Sequence, residues 1–553
     1  MYEREIDGIA FKNMLVSGFK RLKENADEVN DLNVFPIPDG DTGDNMCSTL
    51  LGGVKNIINS EEDVLGKVAK PVGEGVLLGA RGNSGVILSQ MIYGICEEFS
   101  SHERADAEIL GKAFSNGVKK AYLSVSSPVE GTMLTVLREA TEYANKQISK
   151  NSTVRDYLSD FLKEGEGSLE RTPSLLPALM EAGVVDSGGK GVLHMISGFL
   201  SALDGESHID LSELAVTTSS SDMDFSLFDE NSVMVYGYCT EFLLQLTHAK
   251  TNIEEFSLDN MKEEISVFGD SLVAVKTGSV VKIHIHTLTP GAVLEYAQKF
   301  GEFLTLKIEN MTLQHNGTLE KKSENVFRKN IKRKKYATVA VADGKGIKDA
   351  FKELGADIVI DGGQGKNPSV ETFLSAFDAV NADVIFVLPD NNNILMAAHE
   401  AAKLYSNSDV RVLEAKSAGD GYSALAAMDF SSDNPDEIFS AMQEEIDDSV
   451  SAAVSRSIRD SNSNGLEIKD GSYIGFADKE ILSSDADREG ALEGLLNALH
   501  AEEKYFIIIF FGKDVKKAER EKSEKLIKSK YPKAEVYGLD GGQEIYDYIV
   551  VLQ

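Results

Sequence analysis

The sequence predicts a multidomain protein that combines an α-helical domain with α+β and α/β domains. Three observations support this: the length of 553 residues, a change in hydrophobic periodicity along the chain, and a polar stretch without periodicity between the two patterns. A chain of this length exceeds what one hydrophobic core normally supports, so two to four domains are expected.

The first domain is predicted over residues 1–203 and is helical. Phe11, Leu15 and Phe19 recur at the spacing that gives a helix one apolar face. Long strand-like runs are absent from this part of the sequence. Residues 204–232 are rich in Ser, Thr and Asp and lack periodicity, which predicts a linker.

The second domain is predicted over residues 233–320, where strand and helix patterns alternate. The order is strand, helix, strand, strand, helix, strand, which is typical of a ferredoxin-like α+β module. The strands are expected at 233–246, 272–275, 280–286 and 304–309, and the helices at 258–268 and 291–300. A basic segment at 321–335 then interrupts the acidic chain, and we interpret it as a solvated linker or an exposed helix, with a functional basic contact as the alternative.

The third domain is predicted over residues 336–553 and has an α/β pattern. Apolar strands are expected at 338–341, 357–360, 384–388 and 410–413, each followed by a helical or Gly-rich stretch. This alternation is typical of a largely parallel sheet with both faces covered. Further buried strands are expected at 505–511 and 546–552.

The amino-acid composition argues against some classes of binding partner. The formal net charge of −33, from 89 acidic and 56 basic residues, argues against nucleic acid and anionic membranes. Cys47, Cys96 and Cys239 lie far apart and fit no disulfide framework, which indicates a reducing cytoplasm. The N-terminus lacks a secretory pattern, and the most apolar run, Phe506–Phe511, is too short to span a bilayer. We therefore expect a soluble cytoplasmic protein without transmembrane segments.

Residues 33–45, Asn-Val-Phe-Pro-Ile-Pro-Asp-Gly-Asp-Thr-Gly-Asp-Asn, carry the most specific signal in the chain. They place Asp39, Asp41 and Asp44 in a loop whose prolines disfavour regular structure and whose glycines allow tight turns. Clustered carboxylates repel each other unless a cation lies among them. Hard oxygen ligands suit Mg²⁺, which commonly bridges carboxylates to substrate phosphates. The alternative is an ordinary surface turn with a helix cap at Thr42 or Asp44.

Three more stretches of small and hydroxyl residues border predicted helices. A helix start offers free N–H groups and the positive end of a dipole, and glycines let a phosphate approach the backbone. For residues 79–90 taken alone, an ordinary helix cap is the better explanation, and each of the other two stretches is weak evidence by itself. The sequence contains no Walker-type motif, which argues against a P-loop nucleotide fold. The stretches are residues 79–90, 130–135 and 183–191.

Cys239, His284 and His286 form a second candidate constellation, in the middle domain. Residues two apart on a strand project to the same face, with Cα atoms about 6.5–7 Å apart, so both imidazoles can converge on one ion. A thiolate with two imidazoles suits Zn²⁺ and leaves a fourth ligand position open. The alternative is two half-exposed strand histidines and one buried cysteine that acts as a small hydrophobe.

The string from Asn33 to Asn45, followed by Met46, resembles the metal loop of the dihydroxyacetone-kinase nucleotide-binding subunit, in the version found in bacterial fatty acid kinases. The resemblance implies an antiparallel helical barrel that holds ATP at one end, with Asp39 and Asp41 as catalytic ligands of Mg²⁺. Asp44 departs from the pattern, which has a small or hydroxyl residue there. Asn33 stands where those kinases have a further aspartate.

The same resemblance implies roles for residues beyond the metal loop. Arg171 is open to two interpretations, a phosphate contact or a surface arginine. Fatty acid kinases have a matching Cys and His-x-His in their middle domain, which favours the zinc site and leaves its structural or catalytic role open. The residues implied to contact metal or nucleotide are Asn45, Gly82, Asn83, Ser84, Gly85, Thr132 and Asp186.

The last domain resembles the DegV-like, fatty-acid-binding fold through residues 361–371, 387–394 and 540–543. The family implies that this domain helps to dock a separate carrier protein. The expected activity is ATP-dependent phosphorylation of the carboxylate of a fatty acid that a DegV-like carrier presents, which yields acyl phosphate and ADP. Two alternatives are a dihydroxyacetone-type kinase of small hydroxyl substrates and a non-catalytic ATP-binding scaffold. Helical barrels of this kind often pair, so a homodimer stays open.

Overall fold

The structure is a computed structural model, and it describes residues 4–33, 40–205, 238–253, 256–277, 279–287, 289–310, 333–457, 460–463, 465–477 and 480–553. The chain divides into two units. The first consists of Met1–Ile209 together with Arg333–Gln553, and the second is Asp210–Lys332. The N-terminal and C-terminal segments therefore fold as one unit, although they are far apart in sequence.

The described part of the N-terminal segment contains ten helices, and several begin with a side-chain cap. Asp7 accepts a hydrogen bond from the N–H of Ala10 at 2.9 Å, and Thr153 forms a capping box with Asp156. No described helix is both long and apolar enough to cross a lipid bilayer. The helices are α1 (Gly8–Glu24), α2 (Ala26–Asp31), α3 (Thr42–Lys55), α4 (Leu65–Gly79), α5 (Gly82–Phe99), α6 (Ala107–Leu123), α7 (Met133–Gln147), α8 (Val154–Leu175), α9 (Pro177–Ala182) and α10 (Ser187–Leu203).

These helices pack as neighbours around an apolar centre. From α3 to α8 each helix packs on the next, and α8 packs on α10, which returns to α1. A short two-stranded sheet pairs β1 (Glu5–Ile6) with β2 (Ala105–Asp106). Aromatic rings meet edge to face inside, with 5.3 Å between the ring centroids of Phe11 and Phe99. The buried faces of the helices thus hold their ends in fixed positions.

The second unit is built on a four-stranded antiparallel sheet. Its strands follow the order β4-β5-β3-β6, and a core that includes Phe242, Ile283 and Val293 packs against it. The order of elements along the chain is the one expected from the sequence. The elements are β3 (Tyr238–Leu246), α11 (Leu258–Ser266), β4 (Gly269–Thr277), β5 (Val280–Thr287), α12 (Pro290–Ala297) and β6 (Gly301–Asn310).

The C-terminal segment begins with a parallel sheet of order β10-β9-β7-β8. Lys334 and Lys335, which were expected in the basic linker, belong to β7. There the two side chains form ion pairs with Asp357 and Asp433. The elements are β7 (Lys334–Ala342), α13 (Lys345–Glu353), β8 (Ile358–Asp361), α14 (Val370–Val380), β9 (Ala382–Leu388), α15 (Asn392–Leu404) and β10 (Asp409–Val412).

A second sheet of six strands completes the segment, with the order β15-β14-β11-β18-β16-β17. Only the pairing of β16 with β17 is parallel in it, which corrects the expectation of a largely parallel arrangement for this half. The elements are α16 (Ala418–Ala426), α17 (Pro435–Asp448), β11 (Val450–Arg456), the hairpin β12 (Ser461–Ser463) and β13 (Leu466–Ile468), β14 (Tyr473–Ala477), β15 (Glu480–Asp485), α18 (Arg488–Ala498), β16 (Phe506–Phe511), α19 (Lys517–Lys530), β17 (Glu535–Asp540) and β18 (Tyr548–Leu552).

The parallel-sheet half of the C-terminal segment packs directly on the helical domain. Helix α15 lies along α5, and α14 contacts α4. One apolar cluster joins Ala80 and Val86 of the helical domain to Phe373 and Ile394 of the C-terminal segment. The N–H of Val370 also donates to the carbonyl of Ala80 at 3.2 Å. The contact between the two segments therefore includes the start of α5.

Candidate functional site

The four polar and glycine-rich stretches that stand out in the sequence lie at helix N-termini. Asp41 precedes α3, Arg81 precedes α5, Thr132 precedes α7 and Asp186 precedes α10, each as the residue that flanks the first turn. Each start carries backbone N–H groups without helical partners and the positive end of a helix dipole. Each one is therefore suited to an anion on its own.

Side-chain contacts join three of these starts. The hydroxyl groups of Ser187 and Thr42 lie 3.4 Å apart, which links the beginning of α10 to that of α3. The first turn of α5 lies against α3, because a methyl group built on Gly82 would be 2.6 Å from Nδ2 of Asn45. Helices α3, α5 and α10 thus begin next to one another.

Asp186 joins the fourth start to this group. Its carboxylate accepts hydrogen bonds from the N–H of Gly189, at 2.7 Å, and from the N–H of Met133 in the first turn of α7. Burial raises the pKa of Asp186 to about 6, although both hydrogen bonds act in the opposite direction. The side chain therefore caps α10 and α7 together, and its contact with nucleotide stays a prediction.

Gly82 has a backbone conformation that favours glycine, with φ of +59°. Next to it, Oγ1 of Thr49 accepts from the N–H of Arg81 at 3.3 Å and donates to the carbonyl of Asn45 at 2.7 Å. A methyl group on Gly85 would lie 2.4 Å from the same hydroxyl oxygen. Gly82 and Gly85 therefore let the first turn of α5 approach α3 closely.

Asp41 is buried, with 8 % of its surface exposed, and it meets a residue of the C-terminal segment. Nδ2 of Asn367 donates to Oδ2 of Asp41 at 2.6 Å and lies 3.4 Å from Oδ1 of Asn45. Asn367 is 6 % exposed, and its Oδ1 has no hydrogen-bond partner among the protein atoms that the structure describes. Sequence reasoning missed this residue, although it lies in the segment 361–371 that carries part of the resemblance.

A second amide links the site to the C-terminal segment. Nδ2 of Asn83 donates to Oδ1 of Asn393 at 3.2 Å, while Oδ1 of Asn83 is buried and has no partner within the described residues. Further along α5, Nε2 of Gln90 donates to Oε1 of Glu400 at 2.9 Å. The neighbouring Ser84 is partly buried in the first turn of α5.

Thr132 and Arg171 have local partners. The Thr132 hydroxyl donates to the carbonyl of Val129 at 2.8 Å, in the loop that enters α7. The guanidinium of Arg171 forms ion pairs with Glu139 and Glu164 at 2.7 and 2.6 Å. These contacts fit the surface interpretation of Arg171, whereas the predicted contact of Thr132 with nucleotide stays a prediction.

Asp44 is exposed and faces a different neighbour from Asp41. Nδ2 of Asn30 donates to its carboxylate at 3.1 Å, and Oδ1 of Asn30 accepts from the N–H of Gly43 at 2.7 Å. The extra carboxylate of the loop therefore takes part in a polar contact between α2 and α3.

The described donor set fits a hard cation in part. Asp39 lies outside the described residues, as do the two prolines of the loop. Among the residues that the structure does describe, no group of three or more His, Cys, Asp or Glu side chains is arranged to hold a metal. The candidate ligand atoms are the carboxylate oxygens of the buried Asp41 and the side-chain amide oxygens of the buried Asn45 and Asn367. Oxygen ligands of this kind suit Mg²⁺.

The residues of the predicted zinc site lie on two paired strands. The register of β3 and β5 places Cys239 opposite His286 and Glu241 opposite His284. The side chains of Cys239 and of both histidines lie outside what the structure describes. The zinc site therefore stays a prediction that the backbone register accommodates.

Family models match three parts of the chain. A DAK2 domain matches residues 36–201, and the FakA-like middle and C-terminal domains of fatty acid kinases match 235–318 and 337–553. Protein YloV of Bacillus subtilis is 38 % identical over 559 residues, which cover 99 % of each chain. A protein of Staphylococcus aureus strain USA300 is 35 % identical over 552 residues, 98 % of each chain.

Two solved structures share more distant similarity. The dihydroxyacetone kinase of C. freundii, in complex with AMP-PNP and Mg²⁺, is 16 % identical with a TM-score of 0.29, over 36 % of this chain and 35 % of that one. DegV, a fatty acid binding protein from Bacillus subtilis, is 11 % identical with a TM-score of 0.29, over 40 % of this chain and 99 % of that one.

Replacing Gly82 with Ala is expected to weaken ATP binding at least tenfold, because the new methyl group displaces Asn45. Gly183→Ala is the matched control: φ is +66° there and nothing lies within 4 Å of the added carbon. Both variants lose about 1–2 kcal/mol of stability to the left-handed backbone. Calorimetric titration with ATP and thermal unfolding separate the two effects. Equal ATP affinity in the two variants would contradict the expectation that the N-terminus of α5 binds the nucleotide.

Proposed function

The chain belongs to the FakA-like family of fatty acid kinases, and on that premise we propose that it is an ATP-dependent kinase. Its proposed acceptor is the carboxylate of a fatty acid that a separate DegV-like carrier protein presents. The products are acyl phosphate and ADP. The main support for the proposal is the series of contacts that links the N-termini of α5, α3, α10 and α7, with the buried Asp41 directly before α3.

The nucleotide is proposed to place its phosphates against these helix starts. Backbone N–H groups in the first turns of α3, α5, α7 and α10 provide donors, and their dipoles favour negative charge. Gly82 and Gly85 leave the first turn of α5 without bulky side chains. Asn83 and Ser84 add side-chain donors, and Thr132 and Asp186 complete the opposite side of the proposed site.

Asp41, together with Asp39, is proposed to hold Mg²⁺, assisted by the amide oxygen of Asn45. When bound, the ion supplies positive charge that reduces the repulsion between the nucleotide phosphates and an anionic acceptor. A fatty acid carboxylate is already ionised at neutral pH, so the chain has no need of a general base for the acceptor. Positioning and charge neutralisation are therefore the main contributions of the protein.

The finer descriptions of the fold are proposals as well. We propose that the helices close into an antiparallel barrel, which the return of α10 to α1 supports. We also propose a ferredoxin-like arrangement for the middle domain, which the strand order β4-β5-β3-β6 supports. The domain limits are proposed at 1–203, 233–320 and 336–553, with linkers at 204–232 and 321–335. The C-terminal domain is proposed to take part in docking the carrier.

A reconstituted assay tests the reaction. Purified chain, Mg-ATP, a fatty acid and a DegV-like carrier are combined, and ADP and acyl phosphate are measured, the latter by trapping with hydroxylamine. ADP and acyl phosphate are expected in equal amounts and only when both fatty acid and carrier are present. Carrier-independent phosphorylation of dihydroxyacetone, or tight ATP binding without turnover, would contradict the proposed acceptor.

Within this assay, Asp41→Ala is expected to lower turnover at least 100-fold while the fold is retained. The variant removes a proposed ligand of the metal but leaves the apolar core untouched. Asp44→Ala is the control from the same loop, because Asp44 is exposed and bonded to Asn30, and its activity is expected to stay near that of the wild type. Retained activity in Asp41→Ala would contradict the proposed metal site.

Zinc in the middle domain is proposed to be held by Cys239, His284 and His286. Elemental analysis of the purified chain is expected to show stoichiometric zinc, and His284→Ala is expected to lose it. His248→Ala serves as the control, because His248 is an exposed histidine in the turn that follows β3. Equal zinc content in the wild type and His284→Ala would rule out this ligand set.

A further inference from the structure

Asn367 contacts the proposed metal site from the C-terminal segment. It lies outside the polar and glycine-rich stretches of the helical domain that indicate a site in the sequence. It lies between β8 and α14, directly after a tight turn in which Gly363 and Lys366 exchange two backbone hydrogen bonds of 3.0 Å. Pro368 follows it and restricts its backbone to extended conformations. Ser369 then caps α14 by accepting from the N–H of Thr372 at 3.2 Å. Both sides of Asn367 are therefore held in place.

The contact with Asp41 is a short hydrogen bond between two buried groups. Nδ2 of Asn367 and Oδ2 of Asp41 lie 2.6 Å apart, and the two residues are 6 % and 8 % exposed. A hydrogen bond to an ionised carboxylate is stronger than one between neutral groups and fixes the plane of the carboxylate. An ionised carboxylate has about four lone-pair sites, so accepting this hydrogen bond is compatible with binding a cation.

We propose that Asn367 is a positioning residue for the metal site of the helical domain. It orients the carboxylate of Asp41 so that the ligand geometry for Mg²⁺ is complete only when the C-terminal segment is packed against α5. This inference rests on the proposed function, since it assumes that Asp41 binds the metal. Partners that hydrogen-bond a ligating carboxylate commonly change metal affinity 10- to 100-fold when they are removed.

The packing of the two segments against each other does not explain why an asparagine is buried at position 367. The apolar cluster around Ala80, Val86 and Phe373 already holds them together, and the pair of Gln90 and Glu400 adds a polar contact elsewhere on the interface. Asn367 instead buries Oδ1 without a partner among the described protein atoms, which disfavours the packed state. A buried amide that makes one strong bond to a metal-ligand carboxylate is better explained by the site than by the interface.

Binding of Mn²⁺, measured directly by electron paramagnetic resonance, tests the role of Asn367. The full chain is titrated with Mn²⁺ in the presence of AMP-PNP, so the readout is independent of turnover. Asn367→Ala is expected to raise the dissociation constant for Mn²⁺ by at least tenfold. Gln90→Ala, which removes a hydrogen bond from the same interface about 12 Å further along α5, is expected to leave it unchanged.

Asn367→Asp adds a second test with a variant of the same size. It replaces the donor with a carboxylate beside Asp41, and two such groups repel each other unless one is protonated or a cation lies between them. Without metal, the melting temperature of Asn367→Asp is expected to lie below that of the wild type. Mn²⁺ is expected to raise the melting temperature of this variant by more than it raises that of the wild type.

Three results would overturn the inference. They are a wild-type Mn²⁺ affinity in Asn367→Ala, an equal loss of affinity in Gln90→Ala, and a melting temperature of Asn367→Asp that is insensitive to Mn²⁺. Failure of the wild-type chain to bind Mn²⁺ with AMP-PNP has a different meaning. That result would contradict the proposed function itself, and the positioning role with it.

Discussion

The N-termini of α-helices carry partial positive charges, so several of them can lie close together only when negative charge offsets their repulsion. This electrostatic constraint applies to four helices of the helical domain. The N-termini of α3, α5, α7 and α10 each carry a partial positive charge, and contacts through Thr42, Asn45 and Asp186 bring them together. The carboxylates of Asp41 and Asp186 offset part of this charge. Burial nevertheless raises the pKa of Asp186 to about 6, so desolvation outweighs the two backbone hydrogen bonds that this carboxylate accepts. An anionic ligand would complete the compensation, which supports the proposal that nucleotide phosphates bind here.

The C-terminal segment of the first unit also contributes to this site, because it packs against the helical domain next to Asp41. Helix α5 presents its first turn to α3 and its flank to α15, so one helix shapes both the proposed phosphate site and the interface. The left-handed Gly82 lies where these surfaces meet, close to Asn45 and Asn367. A change in the packing of the C-terminal segment would therefore reach Asp41 through the hydrogen bond from Asn367, which offers a route from the proposed carrier docking to the proposed metal site.

The sequence predicted those features that depend on local signals. Glycines and a carboxylate at a helix start are visible within a few residues, so Asp41, Asn45 and Gly82 were selected and lie together in the structure. Asn367 lacks such a signal, because its contact with Asp41 spans 326 residues. The second C-terminal sheet was missed in part for another reason, since only its strands β16 and β18 were expected. Strands such as β11, Val-Ser-Ala-Ala-Val-Ser-Arg, are short and rich in small residues and form no apolar run. The roles of Asp39 and of the predicted zinc ligands depend on side chains outside the described residues.

A crystal structure of the full chain with Mg²⁺ and AMP-PNP would show whether the linked helix starts bind the nucleotide. We expect the phosphates to lie against the first turns of α3 and α5, Asp41 to ligate the ion, and Asn367 still to donate to its carboxylate. Phosphates bound elsewhere on the helical domain, or a C-terminal segment separated from α5 in the nucleotide complex, would contradict it.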